Sequence, residues 1–225
     1  MKITPYGRRE LGVAGLSAAA ISLAGGLHHA SWPLAGSCLA LLGVAAFFRD
    51  PERLVPREPG AFLAPADGLV DDVTRLADGE ACDLLGAAPA HRIGIFLSVF
   101  DVHLNRAPCD MTVLRDAHRP GRYLDARDGR CARLNEAHSI AGTASAEWGG
   151  VPVMVRQISG LIARRIVCDP TPGASLQAGD RYGMIKFGSR TELYLPDLPN
   201  LEIVAKPGLR ARGGLTVLAR FRKPA

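Results

Sequence analysis

The sequence predicts an α+β protein: a mainly antiparallel β domain with few helices, attached to an N-terminal helical membrane hairpin. Three observations predict it. Leu11 to Phe48 contains no Asp, Glu, Lys or Arg. From Pro56 onward the apolar runs become short, and Gly and Pro punctuate them. The 225 residues are 48% hydrophobic and only 6% aromatic, which argues against disorder and suffices for one substantial domain plus an appendage.

In chain order, residues 1–55 read as the anchor and 56–225 as the β-rich domain. Two apolar runs, Leu11–Leu27 and Trp32–Phe48, flank a Gly/His/Pro turn. As helices each spans about 26 Å at ~1.5 Å per residue, slightly short of a ~30 Å hydrocarbon core. Lys2, Arg8 and Arg9 precede the pair, and Arg49, Arg53 and Arg57 follow it. Basic residues at both ends place both termini, and the β domain, on the cytoplasmic side of the cell membrane. A cleaved leader would leave the second run unexplained; a monotopic or re-entrant anchor stays open.

Beyond Pro56, strand-like runs occur at Phe62–Leu63, Gly68–Val73, Arg92–Phe100, Met111–Asp116, Val151–Gln157, Arg164–Val167, Tyr182–Phe187, Thr191–Leu195, Glu202–Ala205 and Leu215–Phe221. Turn signals such as Ala66-Asp67-Gly68, Gly149-Gly150 and Gly213-Gly214 separate them. Ser159–Arg165 reads as a helical turn or as further strand.

The formal charge of +5 suits an anionic partner, but sparse aromatics speak against nucleic acid. Five widely spaced cysteines without a C-x-x-C form neither a disulfide framework nor a zinc ribbon. The six histidines are scattered with no H-E-x-x-H, so no metal site is expected. Walker, dinucleotide and G-x-S-x-G signatures are absent as well.

Three stretches carry possible chemistry. Phe96–Pro108 is an apolar strand ending in Asp101, His103, Asn105 and Arg106; alone, His103 reads as a hydrogen-bonded structural histidine. Ala64-Pro65-Ala66-Asp67-Gly68 alone is a plain turn. In Gly183–Pro196, the pair Gly188-Ser189 interrupts a good strand pattern and reads locally as a bulge or bend. Another chemistry also fits it. The Ser189 hydroxyl can attack the Gly188 carbonyl, which glycine leaves open, and turn the amide into an ester. Elimination then yields dehydroalanine, and hydrolysis releases ammonia and leaves a pyruvoyl group. The chain would cut itself and make its own electrophile.

Together these stretches resemble the phosphatidylserine decarboxylase family in its compact, pyruvoyl-dependent bacterial and archaeal form. The resemblance runs from Phe47-Phe48-Arg49-Asp50-Pro51-Glu52-Arg53 through Pro65–Gly68, Phe100–Pro108, Gly160–Val167 and Gly183–Arg190 to Leu195-Pro196. It implies a zymogen cleaved between Gly188 and Ser189 into a β chain, residues 1–188, and an α chain, residues 189–225, that stay associated. Ser189 becomes the pyruvoyl cofactor. The implied enzyme is a carboxy-lyase of phospholipid biosynthesis, converting phosphatidylserine to phosphatidylethanolamine and CO2 through a Schiff base. It also implies that His103 reprotonates the substrate Cα and that Asp67 assists self-cleavage. A homo-oligomer is compatible with this reading.

The sequence departs from larger members of the family in one relevant place. Where those carry a second histidine, this chain has Arg106, which cannot act as a base. It also reads Asn135-Glu136-Ala137-His138 where relatives tend to read Asn-Glu-Arg-Asn, so His138 is a local donor or a surface residue. Two alternatives remain. One is the same reaction on archaetidylserine. The other is a non-catalytic lipoyl- or biotinyl-like binding module, which would need an exposed Lys; Lys186 is the nearby candidate.

Overall fold

The computed structural model describes residues 2–27, 32–77, 89–126, 128–161, 165–186 and 189–222. The chain divides into two compact units, Met1–Glu52 and Arg53–Ala225.

In the first unit, α1 (Arg8–Leu27) and α2 (Trp32–Phe47) pack antiparallel. Gly7 at the start of α1 meets Phe48 just past α2, and Gly25 near the end of α1 meets Pro33. A two-stranded pairing of β1 (Lys2–Ile3) with β2 (Arg49–Asp50) closes the base. The helices are apolar on every face, and Leu16, Leu23 and Trp32 are 76%, 71% and 77% exposed. Helices form where expected, but no described helix is long and apolar enough to cross a membrane. The reason is in the sequence: α1 begins with Arg8, Arg9 and Glu10, and α2 reaches only about 24 Å at ~1.5 Å per residue.

The second unit is built on an eight-stranded antiparallel sheet. Its strands are β4 (Gly68–Leu76), β5 (Ala90–Leu97), β7 (Met111–Arg119), β8 (Ala137–Ala144), β9 (Pro152–Ser159), β11 (Ser175–Leu176), β13 (Ser189–Pro196) and β15 (Arg210–Ala211), in the spatial order β11-β7-β8-β9-β13-β5-β4-β15. Two three-stranded sheets accompany it. One has β6 (Leu104–Arg106), β10 (Ile166–Cys168) and β12 (Arg181–Ile185), in the order β10-β12-β6; the other has β3 (Ala61–Leu63), β14 (Leu201–Ile203) and β16 (Val217–Phe221), in the order β14-β16-β3. A short helix, α3 (Cys131–Leu134), precedes β8. Ile93, Ile95, Val113, Val155, Leu193 and Leu195 of the large sheet share one core with Phe62, Tyr182 and Leu218 of the small ones. β-branched and leucine side chains at alternating positions account for that buried face.

All ten expected strand runs contain or overlap an observed strand. The Gly188-Ser189 interruption has a different meaning from a bulge within one strand. β12 ends at Ile185 in a three-stranded sheet, and β13 begins at Ser189 in the large one. The pattern breaks there because the chain changes sheets. Phe187 and Gly188 lie outside the described residues, as does Cys82.

Gly68 opens β4 with φ +151°, and a Cβ there would collide with the carbonyl oxygen of Phe96. Gly68→Ala is therefore expected to destabilise the protein by about 1–3 kcal/mol. Denaturant unfolding should show a lower midpoint at unchanged slope.

Candidate active site

Ser189 is fully buried at the start of β13, with its backbone opposite Leu97 of β5 and Ser159 of β9. Its Oγ is buried and has no hydrogen-bond partner among the described residues. A buried hydroxyl without a partner costs on the order of 1–3 kcal/mol, and such an atom calls for a chemical explanation.

Along β13 the side chains alternate. Ser189, Thr191, Leu193 and Leu195 share the face that carries the main core, while Arg190, Glu192 and Tyr194 share the other. On the Ser189 face, Asn105 of β6 donates through Nδ2 to Thr191 Oγ1 at 3.0 Å. Its Oδ1 accepts from Gln157 Nε2 at 2.9 Å, and Gln157 Nε2 also reaches the Val167 carbonyl at 3.1 Å. β6, β9, β10 and β13 are thus tied by two carboxamides.

His103 is completely buried two residues before Asn105. Its Nδ1 lies 3.0 Å from the Asp101 carbonyl oxygen. A carbonyl only accepts, so Nδ1 carries a proton and Nε2 is the nitrogen left to exchange one. The loop beneath is fixed by Asp101, whose Oδ2 accepts from Ser98 N and Oγ at 2.8 Å each and whose Oδ1 accepts from Arg210 at 3.2 Å. The His103 carbonyl accepts from Ile185 N at 3.2 Å, which links the histidine to the last residue of β12.

Asp67 is held elsewhere. Arg53 donates to both of its oxygens, at 2.6 and 2.7 Å, and Gly213 N donates to Oδ1 at 2.7 Å. Neither Ser189 nor His103 is among these partners. The connection runs through the turn: the Pro65 carbonyl accepts from Arg106 N at 2.9 Å and from Asn105 Nδ2 at 3.5 Å. Asp67 thereby anchors the turn against which the His103 strand is set. Arg106 itself is buried, and its Nη1 donates to the Gly179 carbonyl at 3.0 Å.

Asn135, which the sequence marked only as part of an imperfect motif, is a clamp. It exchanges hydrogen bonds with the backbone of Leu124 and donates through Nδ2 to the Ser159 carbonyl at 2.8 Å, on the residue opposite Ser189. Its spacing gave no signal, because Asn135 reaches Ser159 only once β8 and β9 have paired.

The reverse face of β13 holds a charged cluster around a cavity of about 270 Å³. Arg190 donates to Glu192 at 3.0 Å and to Asp71 at 2.5 Å. Arg92 donates to Asp72 at 2.8 Å, and Tyr194 donates to Glu192 at 2.6 Å. Burial works to lower the Arg190 pKa, but Glu192 and Asp71 outweigh it, and the guanidinium stays above its ordinary value. Burial, with Glu192 adding to it, also pushes the Tyr194 hydroxyl up, so it remains a donor.

Lys186 is buried, with 6% of its surface exposed, so it lacks the exposure that a carrier module requires of its modified lysine.

A β-rich fold that opens its central strand on a buried serine, whose hydroxyl has no partner among the described residues, suits a self-processing enzyme. The sequence model of the phosphatidylserine decarboxylase family matches residues 42–219. A phosphatidylserine decarboxylase proenzyme of Gluconacetobacter diazotrophicus is 45% identical over 175 residues, covering 78% of this chain and 75% of its own. Proenzymes of the same description from Mycobacterium sp. strain JLS and Mycobacterium bovis are 40% and 39% identical, over 90% and 98% of this chain and 84% and 90% of their own. The chain belongs to the phosphatidylserine decarboxylase family.

Two substitutions test the architecture of the site. Asn135→Ala leaves the Ser159 and Leu124 backbone groups unpaired and is expected to cost about 1–3 kcal/mol in denaturant unfolding. Arg190→Met strands the fully buried Glu192 and is expected to cost about 3–5 kcal/mol. Adding Glu192→Gln to it should return part of that loss, as a double-mutant cycle by thermal unfolding would show.

Proposed function

We propose that the chain is a pyruvoyl-dependent phosphatidylserine decarboxylase, a carboxy-lyase that forms phosphatidylethanolamine and CO2. The observation that carries this is Ser189: a buried hydroxyl with no partner among the described residues, opening a central strand directly after the glycine of a Gly-Ser pair. A buried serine hydroxyl that no described group engages fits the precursor of such a group. When present, the group supplies a ketone that condenses with the substrate amine and takes up the electron pair left by departing CO2.

The protein's own residues have three tasks. Ser189 Oγ gives up its proton and attacks the Gly188 carbonyl, breaking the peptide bond in favour of an ester. Loss of the Ser189 Cα proton then expels the Gly188 carboxylate, and water displaces ammonia from the resulting enamine. His103, protonated at Nδ1 and basic at Nε2, accepts a proton at Nε2 and can return it to the substrate Cα. Asp67 orients the site indirectly, by holding the 65–68 turn that supports β6. Arg106 takes no part in proton transfer.

The cleaved chains stay together on this reading. The α chain supplies β13 at the centre of the large sheet and β14, β15 and β16 against β3 and β4. The exposed apolar helices of the first unit suit attachment to the cell membrane without spanning it, with the basic flanks and catalytic unit on the cytoplasmic side.

Intact-mass spectrometry under denaturing conditions tests the proposal. Two chains ending at Gly188 and beginning at a pyruvoylated residue 189 are expected, with a single chain for Ser189→Ala. A wild-type chain that stays whole would overturn it. In cleaved protein, His103→Gln should lower CO2 release from phosphatidylserine in mixed micelles by about 10²–10⁴-fold. Asp67→Asn should slow cleavage more than turnover.

A further inference from the structure

Three side chains outside the site just described converge from three strands. Asp116 lies on β7, His138 on β8 and Cys168 on β10, and one ligating atom of each falls within 4.8 Å of the other two. In the β7–β8 register Asp116 opposes Ile140 and His118 opposes His138, which makes Asp116 and His138 diagonal neighbours on one face. His138 Nε2 is hydrogen-bonded to Asp116 Oδ1. Neither is a freely solvated group: their side chains are 16% and 31% exposed. Cys168 comes from the other sheet and is half-buried, and no disulfide joins the described cysteines.

We propose that Asp116, His138 and Cys168 form a binding site for a zinc-class divalent metal ion that joins β10 to the β7–β8 edge of the large sheet. The donor set is one thiolate, one imidazole and one carboxylate, the mixture that zinc accepts and that magnesium or calcium does not. Two of the donors are anions when bound, so their charge balances a dication. Tetrahedral bonds of ~2.0–2.3 Å require ligand atoms about 3.3–3.8 Å apart, so side-chain rotation of about 1 Å closes the observed cluster. The fourth position is left to water. His118 stays outside the set, because Glu136 Oε1 holds its Nε2 at 3.0 Å.

A bound dication would hold the carboxylate and the thiolate in shared coordination. The consequence reaches the neighbouring site. The Val167 carbonyl, one residue before Cys168, accepts from the Gln157 carboxamide that also holds Asn105. An ion at Cys168 pins the strand on which this network rests. Sequence spacing could not show the site, since its ligands lie on three separate strands and become neighbours only when two sheets pack.

The test uses full-length protein purified in detergent, stripped with chelator and titrated with Co²⁺ and then Zn²⁺. One equivalent of Co²⁺ should produce a thiolate-to-metal charge-transfer band that Zn²⁺ bleaches. Cys168→Ser should abolish the band, while His138→Ala and Asp116→Ala each weaken zinc binding at least about tenfold. Cys38→Ser should leave both readouts unchanged. Absence of the band, or its survival in Cys168→Ser, would overturn the proposal. Should Cys168→Ser fail to fold by circular dichroism, His138→Ala decides, and undiminished zinc affinity there overturns it. These readouts do not involve decarboxylation, so a failure of the site and a failure of the proposed activity are separately visible.

Discussion

Ser189 opens a strand that is hydrogen-bonded on both sides and buried at every residue, and the rest of the site depends on that constraint. A strand in this position cannot slide, because Ser189 to Tyr194 are held by β5 on one side and by β9 on the other. The chain arrives from β12, which belongs to a different sheet. β12 ends at Ile185 in one ladder, and β13 begins at Ser189 in another.

Register is defended from the reverse face. A shift of β13 by one residue would exchange its two faces. Arg190 and Glu192 would then enter the apolar core, and Ser189 would turn toward Asp71 and Asp72. Glu192 is fully buried and bound by both Arg190 and Tyr194. A buried ion pair of this kind is weak evidence for added stability, but breaking it is expensive. Its value here is specificity: only one register lets the guanidinium meet its carboxylates, and that same register places the serine hydroxyl toward β6. The 270 Å³ cavity lies on that charged side.

Much of this was legible in the sequence, for physical reasons that also mark where reading stopped. The apolar alternation of Thr191–Leu195 and Val151–Gln157 gave β13 and β9 because each buries one continuous face. β8 escaped notice because Ala137-His138-Ser139-Ile140-Ala141-Gly142-Thr143-Ala144 is built of small residues with weak strand preference, and packing between β7 and β9 makes it a strand. β6 is too short to show a period. Ser189, His103 and Asp67 could be singled out by matched motifs, but the intermediates that connect them could not. Asn105, Gln157 and Asn135 act through partners 10 to 86 positions away in sequence. The two helices of the first unit were legible because Leu11–Phe48 carries no Asp, Glu, Lys or Arg.

That first unit sets a further physical requirement. Leu16, Leu23, Trp32, Leu39 and Leu42 expose large apolar surfaces, and no polar face compensates them. Burying each such side chain is worth about 1.5–3 kcal/mol, so even a shallow seat in lipid supplies several kcal/mol of attachment. A lipid substrate makes that attachment useful, because a diacyl molecule is scarce outside the bilayer and an enzyme confined to the surface meets it at high effective concentration. The helices therefore need not span. On the proposed reading it is enough that they seat their apolar surface in lipid and leave the chemistry to the β domain.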